Sequence, residues 1–124
     1  MTDKIRVSYD ELKNFCINIY EKCHMPKKQA ELAAKVLTEA DLRGIPSHGV
    51  ARLRRYVEGL KTGQMIPDAV SRTVIESPSS LVVDAAGGMG APVSIHTMNK
   101  VIKKAQKNGT NFTFFIGIDE KITS

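Results

Sequence analysis

Ser47, His48, Arg52 and Tyr56 are the residues of this chain whose types and spacing could do chemistry. They lie in the run Arg43-Gly44-Ile45-Pro46-Ser47-His48-Gly49-Val50-Ala51-Arg52-Leu53-Arg54-Arg55-Tyr56. That run reads as a helix stopping at Gly44, a turn through Pro46, and a second helix from Ser47. On the second helix His48, Arg52 and Tyr56 fall at i, i+4 and i+8, which puts three hydrogen-bonding groups on one stripe. Ser47 falls at the N-cap end, where free backbone N–H groups and the positive dipole end favour an anion. A serine, a histidine and an arginine facing one spot suit a carboxylate-bearing small molecule. The same stripe would also serve as the solvated face of a surface helix, and spacing alone does not choose between them.

The elements that must carry these residues are legible on either side. Ser8-Tyr9-Asp10-Glu11 is a capping box, and behind it Leu12, Phe15, Cys16, Ile19, Tyr20 and Cys23 recur at helical spacing. This first helix ends near His24, which is placed in its C-terminal turn, where the dipole favours it. Pro26 opens a second helix in its first turn, with an alanine-rich apolar face of Ala30, Ala33, Ala34, Leu37, Ala40 and Val36 and a left-handed cap at Gly44. A third helix, from Ser47, buries Val50, Leu53, Val57 and Leu60 and stops at Gly63. Three helices joined by two tight turns make an N-terminal helical unit over residues 1–64.

From residue 65 the pattern changes. Arg72-Thr73-Val74-Ile75-Glu76 and Leu81-Val82-Val83-Asp84 are β-rich runs around the turn-like Ser77-Pro78-Ser79-Ser80. Gly87-Gly88-Met89-Gly90 breaks the chain before a fourth helix, whose apolar side is Val93, Ile95, Met98, Val101, Ile102 and Ala105, with His96 exposed among lysines. Phe112-Thr113-Phe114-Phe115-Ile116 is a third strand, and residues 119–124 are a polar tail. The fold class is α+β: a three-helix unit followed by an incomplete β-β-α-β segment over 65–124. The glycine cluster gives G-G-x-G rather than G-x-G-x-x-G, and no acidic residue follows about 20 positions on, so it reads as a strand-to-helix turn.

Composition bounds the rest. A chain of 124 residues with 42% hydrophobic and 25% charged content is ordinary for one globular domain. No apolar run approaches the roughly 20 residues of a membrane helix, and the first residues lack the apolar core of a secretory signal, so the cytoplasm is the expected location. Cys16 and Cys23 would lie about 10 Å apart along one helix face, too far for a disulfide, and read as buried thiols in a reducing compartment. The net charge of +5 allows an anionic partner, although lysines scattered along the fourth helix explain much of it. A second function class is a small helix-turn-helix DNA-binding protein: Ala40, Gly44, Val50 and Leu53 match that motif's small residue, turn glycine and core contacts, and Arg52, Arg54 and Arg55 would ride on the recognition helix. Against it, Pro46 and Gly49 crowd the turn.

Residues 39–57 resemble the malate/L-lactate dehydrogenase family, the group with ureidoglycolate and sulfolactate dehydrogenases rather than the Rossmann malate dehydrogenases. The shared pattern is A-D-x-x-G-x-x-S-H-G-V-x-R-L-x-x-Y, here running from Ala40 to Tyr56. The resemblance continues through Val82-Val83-Asp84, the glycine turn and the fourth helix, so it covers roughly residues 8–112. It implies an NAD- or NADP-dependent oxidoreductase acting on small 2-hydroxy or 2-oxo carboxylic acids, homo-oligomeric (a homodimer), with no role for nucleic acid or membrane. By position it implies that Ser47, His48, Arg52 and Tyr56 line the substrate site, with Ser47, Arg52 and Tyr56 binding substrate; His48, which can trade a proton near neutral pH, is the acid/base candidate this chain retains beside the arginine.

One departure matters as much. In the family the strand after the fourth helix leads into an N-S-N-H-[FY]-G motif whose histidine is the main acid/base. Here the corresponding residues are Phe115-Ile116-Gly117-Ile118-Asp119-Glu120, without a histidine. The expectation is therefore an N-terminal fragment of such an enzyme, from a frameshift, an early stop or deliberate division, that is inactive alone and lacks most of the cofactor-binding apparatus.

Overall fold

The computed structural model describes residues 5–109 and the backbone of a strand at Phe112–Ile116. The chain divides into two compact units, Met1–Glu58 and Gly59–Ser124.

In the first unit the capping serine does what its spacing predicts: the Ser8 hydroxyl accepts from the Glu11 N–H at 3.1 Å and starts α1 (Tyr9–Lys22). The helix closes with a pair of bonds, His24 N–H to the Glu21 carbonyl at 3.0 Å and Met25 N–H to the Tyr20 carbonyl at 3.1 Å. These bonds require a left-handed residue between them, and His24 takes that role with φ 69°. His24 thus lies beyond the helix end rather than inside its last turn. Pro26 precedes the first residue of α2 (Lys27–Leu42), which ends in the same bond pair with Gly44 as the left-handed residue, φ 77°. Cys16 and Tyr20 of α1 and Ala30, Ala33, Ala34 and Leu37 of α2 are buried. Small side chains along α2 let the two helices approach closely. Tyr9 donates to a Glu39 carboxylate oxygen at 3.2 Å and ties the open ends of the pair. Phe15 of α1 and Val36 of α2, both expected on the apolar faces, are 55% and 40% exposed.

A continuous helix from Ser47 does not form. The chain instead makes two 3₁₀ turns, Pro46–His48 and Val50–Arg52, with Gly49 extended between them, and α3 runs only over Leu53–Thr62. Pro46 supplies no N–H to a preceding turn, and Gly49 lies extended beside the Asp41 carboxylate, which takes the Val50 N–H. His48, Arg52 and Tyr56 therefore do not share one α-helical stripe, and Ser47 is not a helix N-cap. The same break removes the recognition helix that a helix-turn-helix reading places at Ser47.

In the second unit β1 (Arg72–Ser77) pairs antiparallel with β2 (Ser80–Asp84), with an irregularity between Thr73 and Ile75. Leu81 and Val83 alternate inward on β2. After a glycine turn comes α4 (Gly90–Asn108), with Pro92 in its first turn, and the backbone of β3 (Phe112–Ile116) lies parallel to β2 on the side away from β1. The last turns of α4 hold the hairpin tip: Lys104 Nζ donates to the Ser77 carbonyl at 2.7 Å and pairs with Glu76 at 2.8 Å, and Asn108 donates to the Pro78 carbonyl at 2.7 Å. The bond to Lys104 and its charge hold the Glu76 carboxyl below its usual range. Val93 and Thr97 of α4 are buried, whereas Met98 and Ile102, expected on its apolar side, are 53% and 48% exposed. His96 is exposed, as its lysine neighbours suggest. Side chains of the 112–116 run, the missing histidine motif and the polar tail fall outside the described residues. Among the described residues no helix is long and apolar enough to cross a membrane.

Candidate functional site

Three of the four residues singled out by type and spacing meet at the paired 3₁₀ turns. Ser47 Oγ lies 3.0 Å from His48 Nδ1. Arg52 Nε donates to the Ser47 carbonyl oxygen at 2.7 Å. Ser47 and His48 are exposed, while Arg52 is half-buried. The arginine is thereby fixed by a backbone carbonyl and not by an acid, and no acidic side chain pairs with it among the described residues. Its terminal nitrogens retain the planar two-donor edge that fits a carboxylate. With Nδ1 of His48 engaged by Ser47, Nε2 is the ring nitrogen left to meet a ligand.

Tyr56 sits differently. It is half-buried on α3, no hydrogen bond joins it to the other three, and its phenol instead contributes to the environment that pushes the Tyr20 hydroxyl upward. Burial is the larger cause of that shift at Tyr20, which is fully enclosed and has no hydrogen-bond partner for its hydroxyl among the described residues.

Asp41 is the residue that spacing did not reveal as part of this arrangement. It lies in the last turn of α2, where the negative end of the helix dipole opposes a carboxylate by about 0.3–1 kcal/mol. The compensation is a bond across the loop: Asp41 Oδ2 accepts from the Val50 N–H at 2.8 Å. A charge-assisted bond of this kind outweighs the dipole penalty, at about 1.5–3 kcal/mol. The carboxylate also lies where a Cβ on Gly49 would stand, so only glycine fits there. An acidic residue at a helix C-terminus, where it is locally unfavourable, is the one sequence signal that points to such a partner.

Other chemistry finds less support. Cys16 and Cys23 are both free and buried. Burial, and secondarily the Asp41 carboxylate, push the Cys16 thiol up to about 11, so it stays protonated and is not a nucleophile at neutral pH. No group of three or more histidine, cysteine or acidic residues could hold a metal among the described residues. The glycine turn at 87–90 does not fit a dinucleotide: a Cβ on Gly87 would meet Ile66, and one on Gly88 would meet Ala69 and the Ala85 carbonyl. Gly87 and Gly88 make room for this chain's own segment at 66–69, held by Ile66 N–H to the Gly87 carbonyl at 2.8 Å.

Comparison with known proteins agrees with the motif. The malate/L-lactate dehydrogenase family profile matches residues 7–115. The chain is 39% identical over 105 residues to malate dehydrogenase of Pyrococcus horikoshii, covering 85% of this chain and 29% of that protein. It is 36% identical over 97 residues to L-sulfolactate dehydrogenase of Methanocaldococcus jannaschii, covering 78% and 28% respectively. The solved structure of malate dehydrogenase from Pyrococcus horikoshii OT3 superposes with a TM-score of 0.88 at 36% identity, over 93% of this chain and 34% of that one. More distant relatives carry a cofactor in their names, a ureidoglycolate dehydrogenase (NAD(+)) of Escherichia coli O157:H7 and a (2R)-3-sulfolactate dehydrogenase (NADP(+)) of Chromohalobacter salexigens. This chain belongs to the malate/L-lactate dehydrogenase family, and it spans less than a third of the length of the Pyrococcus horikoshii and Methanocaldococcus jannaschii relatives.

Proposed function

We propose that this chain is the N-terminal portion of an NAD- or NADP-dependent dehydrogenase of small 2-hydroxy and 2-oxo carboxylic acids, and that it supplies the wall that grips the substrate carboxylate. Arg52 holds the carboxylate through its terminal nitrogens, Ser47 steadies His48, and His48 Nε2 hydrogen-bonds or exchanges a proton with the substrate oxygen. Tyr56 borders the site from the first turn of α3. The single observation that supports this reading most is the Arg52 side chain, anchored on the Ser47 carbonyl at 2.7 Å beside His48 with no acidic partner among the described residues. A nicotinamide cofactor would bring the hydride chemistry. Gly87 and Gly88 are taken up by this chain's own packing, and cofactor binding and the homodimeric assembly are assigned to the part of the family's length this chain does not span.

The experiment is a graft. Residues 8–112 replace the matching region of the Pyrococcus horikoshii enzyme, and malate oxidation is measured with and without His48→Asn. The expected result is retained activity that falls about 100-fold or more in the His48→Asn graft. The unfused chain is expected to show no turnover with NADH or NADPH and pyruvate or oxaloacetate. An active graft indifferent to His48→Asn would remove the acid/base assignment.

A further inference from the structure

We propose that Asp41 positions Arg52 for an incoming carboxylate, acting through the Gly49–Val50 segment and never touching the ligand; the functional part of this assignment rests on the carboxylate-site reading above. The geometry runs in three steps. Asp41 Oδ2 accepts the Val50 N–H at 2.8 Å, the first N–H of the turn that ends at Arg52. Within that turn Arg52 N–H bonds to the Gly49 carbonyl at 3.0 Å. Arg52 Nε then reaches back to the Ser47 carbonyl at 2.7 Å. The two 3₁₀ turns are three residues each, with only a turn's worth of internal bonds apiece. The first N–H groups of any helical turn lack internal partners, and here the Asp41 carboxylate supplies one from the far end of α2. Gly49 is buried, and its missing side chain is what lets the carboxylate lie against the backbone.

Orientation of the guanidinium is therefore set from outside the loop. A negative charge placed near an anion site opposes anion binding, so the service Asp41 gives is its acceptor oxygen and not its charge. Asparagine offers the same acceptor without the charge.

The test uses the 124-residue chain and reads two things by NMR: the Arg52 Nε–H resonance with its solvent-exchange protection, and L-malate affinity from shifts of the Ser47–Arg52 amides. Asp41→Ala and Gly49→Ala, which displaces the carboxylate from the other side, are each expected to abolish the protected Arg52 resonance and weaken malate binding about tenfold or more. Asp41→Asn is expected to keep the resonance and to bind malate at least as tightly as the parent chain. Amide signals of α1 and α2 report whether each variant is folded, and if Asp41→Ala is not, Gly49→Ala and Asp41→Asn still decide. A folded Asp41→Ala or Gly49→Ala chain that retains the protected resonance and full affinity overturns the proposal, as does Asp41→Asn behaving like Asp41→Ala. If the parent chain binds no malate while the Arg52 resonance still follows Asp41 as expected, the positioning stands and the carboxylate reading fails.

Discussion

Arg52 turns back along its own chain and donates from Nε to the Ser47 carbonyl at 2.7 Å. A bond between residues five apart across an extended Gly49 does two things at once. It ties the two 3₁₀ turns into one surface, and it fixes the guanidinium without neutralising it. A salt bridge would have satisfied the charge internally. A carbonyl leaves the charge without an acidic partner among the described residues.

The left-handed residue at the end of α1 gives a stability prediction. His24 holds φ 69°, a conformation that costs a residue with a side chain about 1–2 kcal/mol relative to glycine. His24→Gly recovers part of that and loses some to the greater freedom of glycine when unfolded. The expected net gain is about 0.5–1 kcal/mol, read from urea or thermal unfolding. Malate binding should not change, since His24 belongs to the α1 end and not to the Ser47–Arg52 turn. A loss of stability would show that His24 makes a contact outweighing its backbone strain.

Alkaline pH should weaken the first unit through Cys16. Burial lifts its thiol from the ordinary 9.0 to about 11 in the folded chain. The folded state therefore holds the proton more tightly than the unfolded state. Stability is fully present below about pH 9 and declines as pH rises toward 11, because the unfolded chain ionises first. Tyr20, also raised by burial, acts in the same direction at higher pH. Denaturant midpoints measured from pH 7 to 11 should fall in that window, and Cys16→Ala should flatten the early part of the decline. Iodoacetamide at pH 8 should leave Cys16 unmodified in the folded chain, and prompt labelling there would contradict its assigned state.

Much of the fold was legible because its determinants are local. Ser8 and Glu11 announce the start of α1, Gly44 the end of α2, and the alternation of Leu81 and Val83 the inner face of β2. What escaped depends on partners distant in sequence. The helix expected from Ser47 is broken by the Asp41 contact with Gly49 and Val50, across eight and nine residues, which no periodicity encodes. Met98 and Ile102 fit the apolar pattern of α4 yet stay exposed, because spacing shows which face is apolar and not what covers it. For the site, residue types led to Ser47, His48 and Arg52, and structure added how they meet: by side chain to ring and side chain to carbonyl, instead of along a helical stripe. Tyr56, named for its i+8 position, lost that geometric argument when the stripe broke.

Carboxylate binding at Arg52 is measured most directly by an NMR titration of the 124-residue chain with L-malate, repeated with Arg52→Lys. Lysine keeps the charge but loses the planar fork and the Nε donor to Ser47. Saturable, weak binding that shifts the Ser47, His48 and Arg52 amides is expected, with at least about a tenfold loss of affinity in Arg52→Lys, the scale of losing one charge-assisted bond. Malate shifts that map elsewhere, or an Arg52→Lys chain that binds as well as the parent, would contradict it.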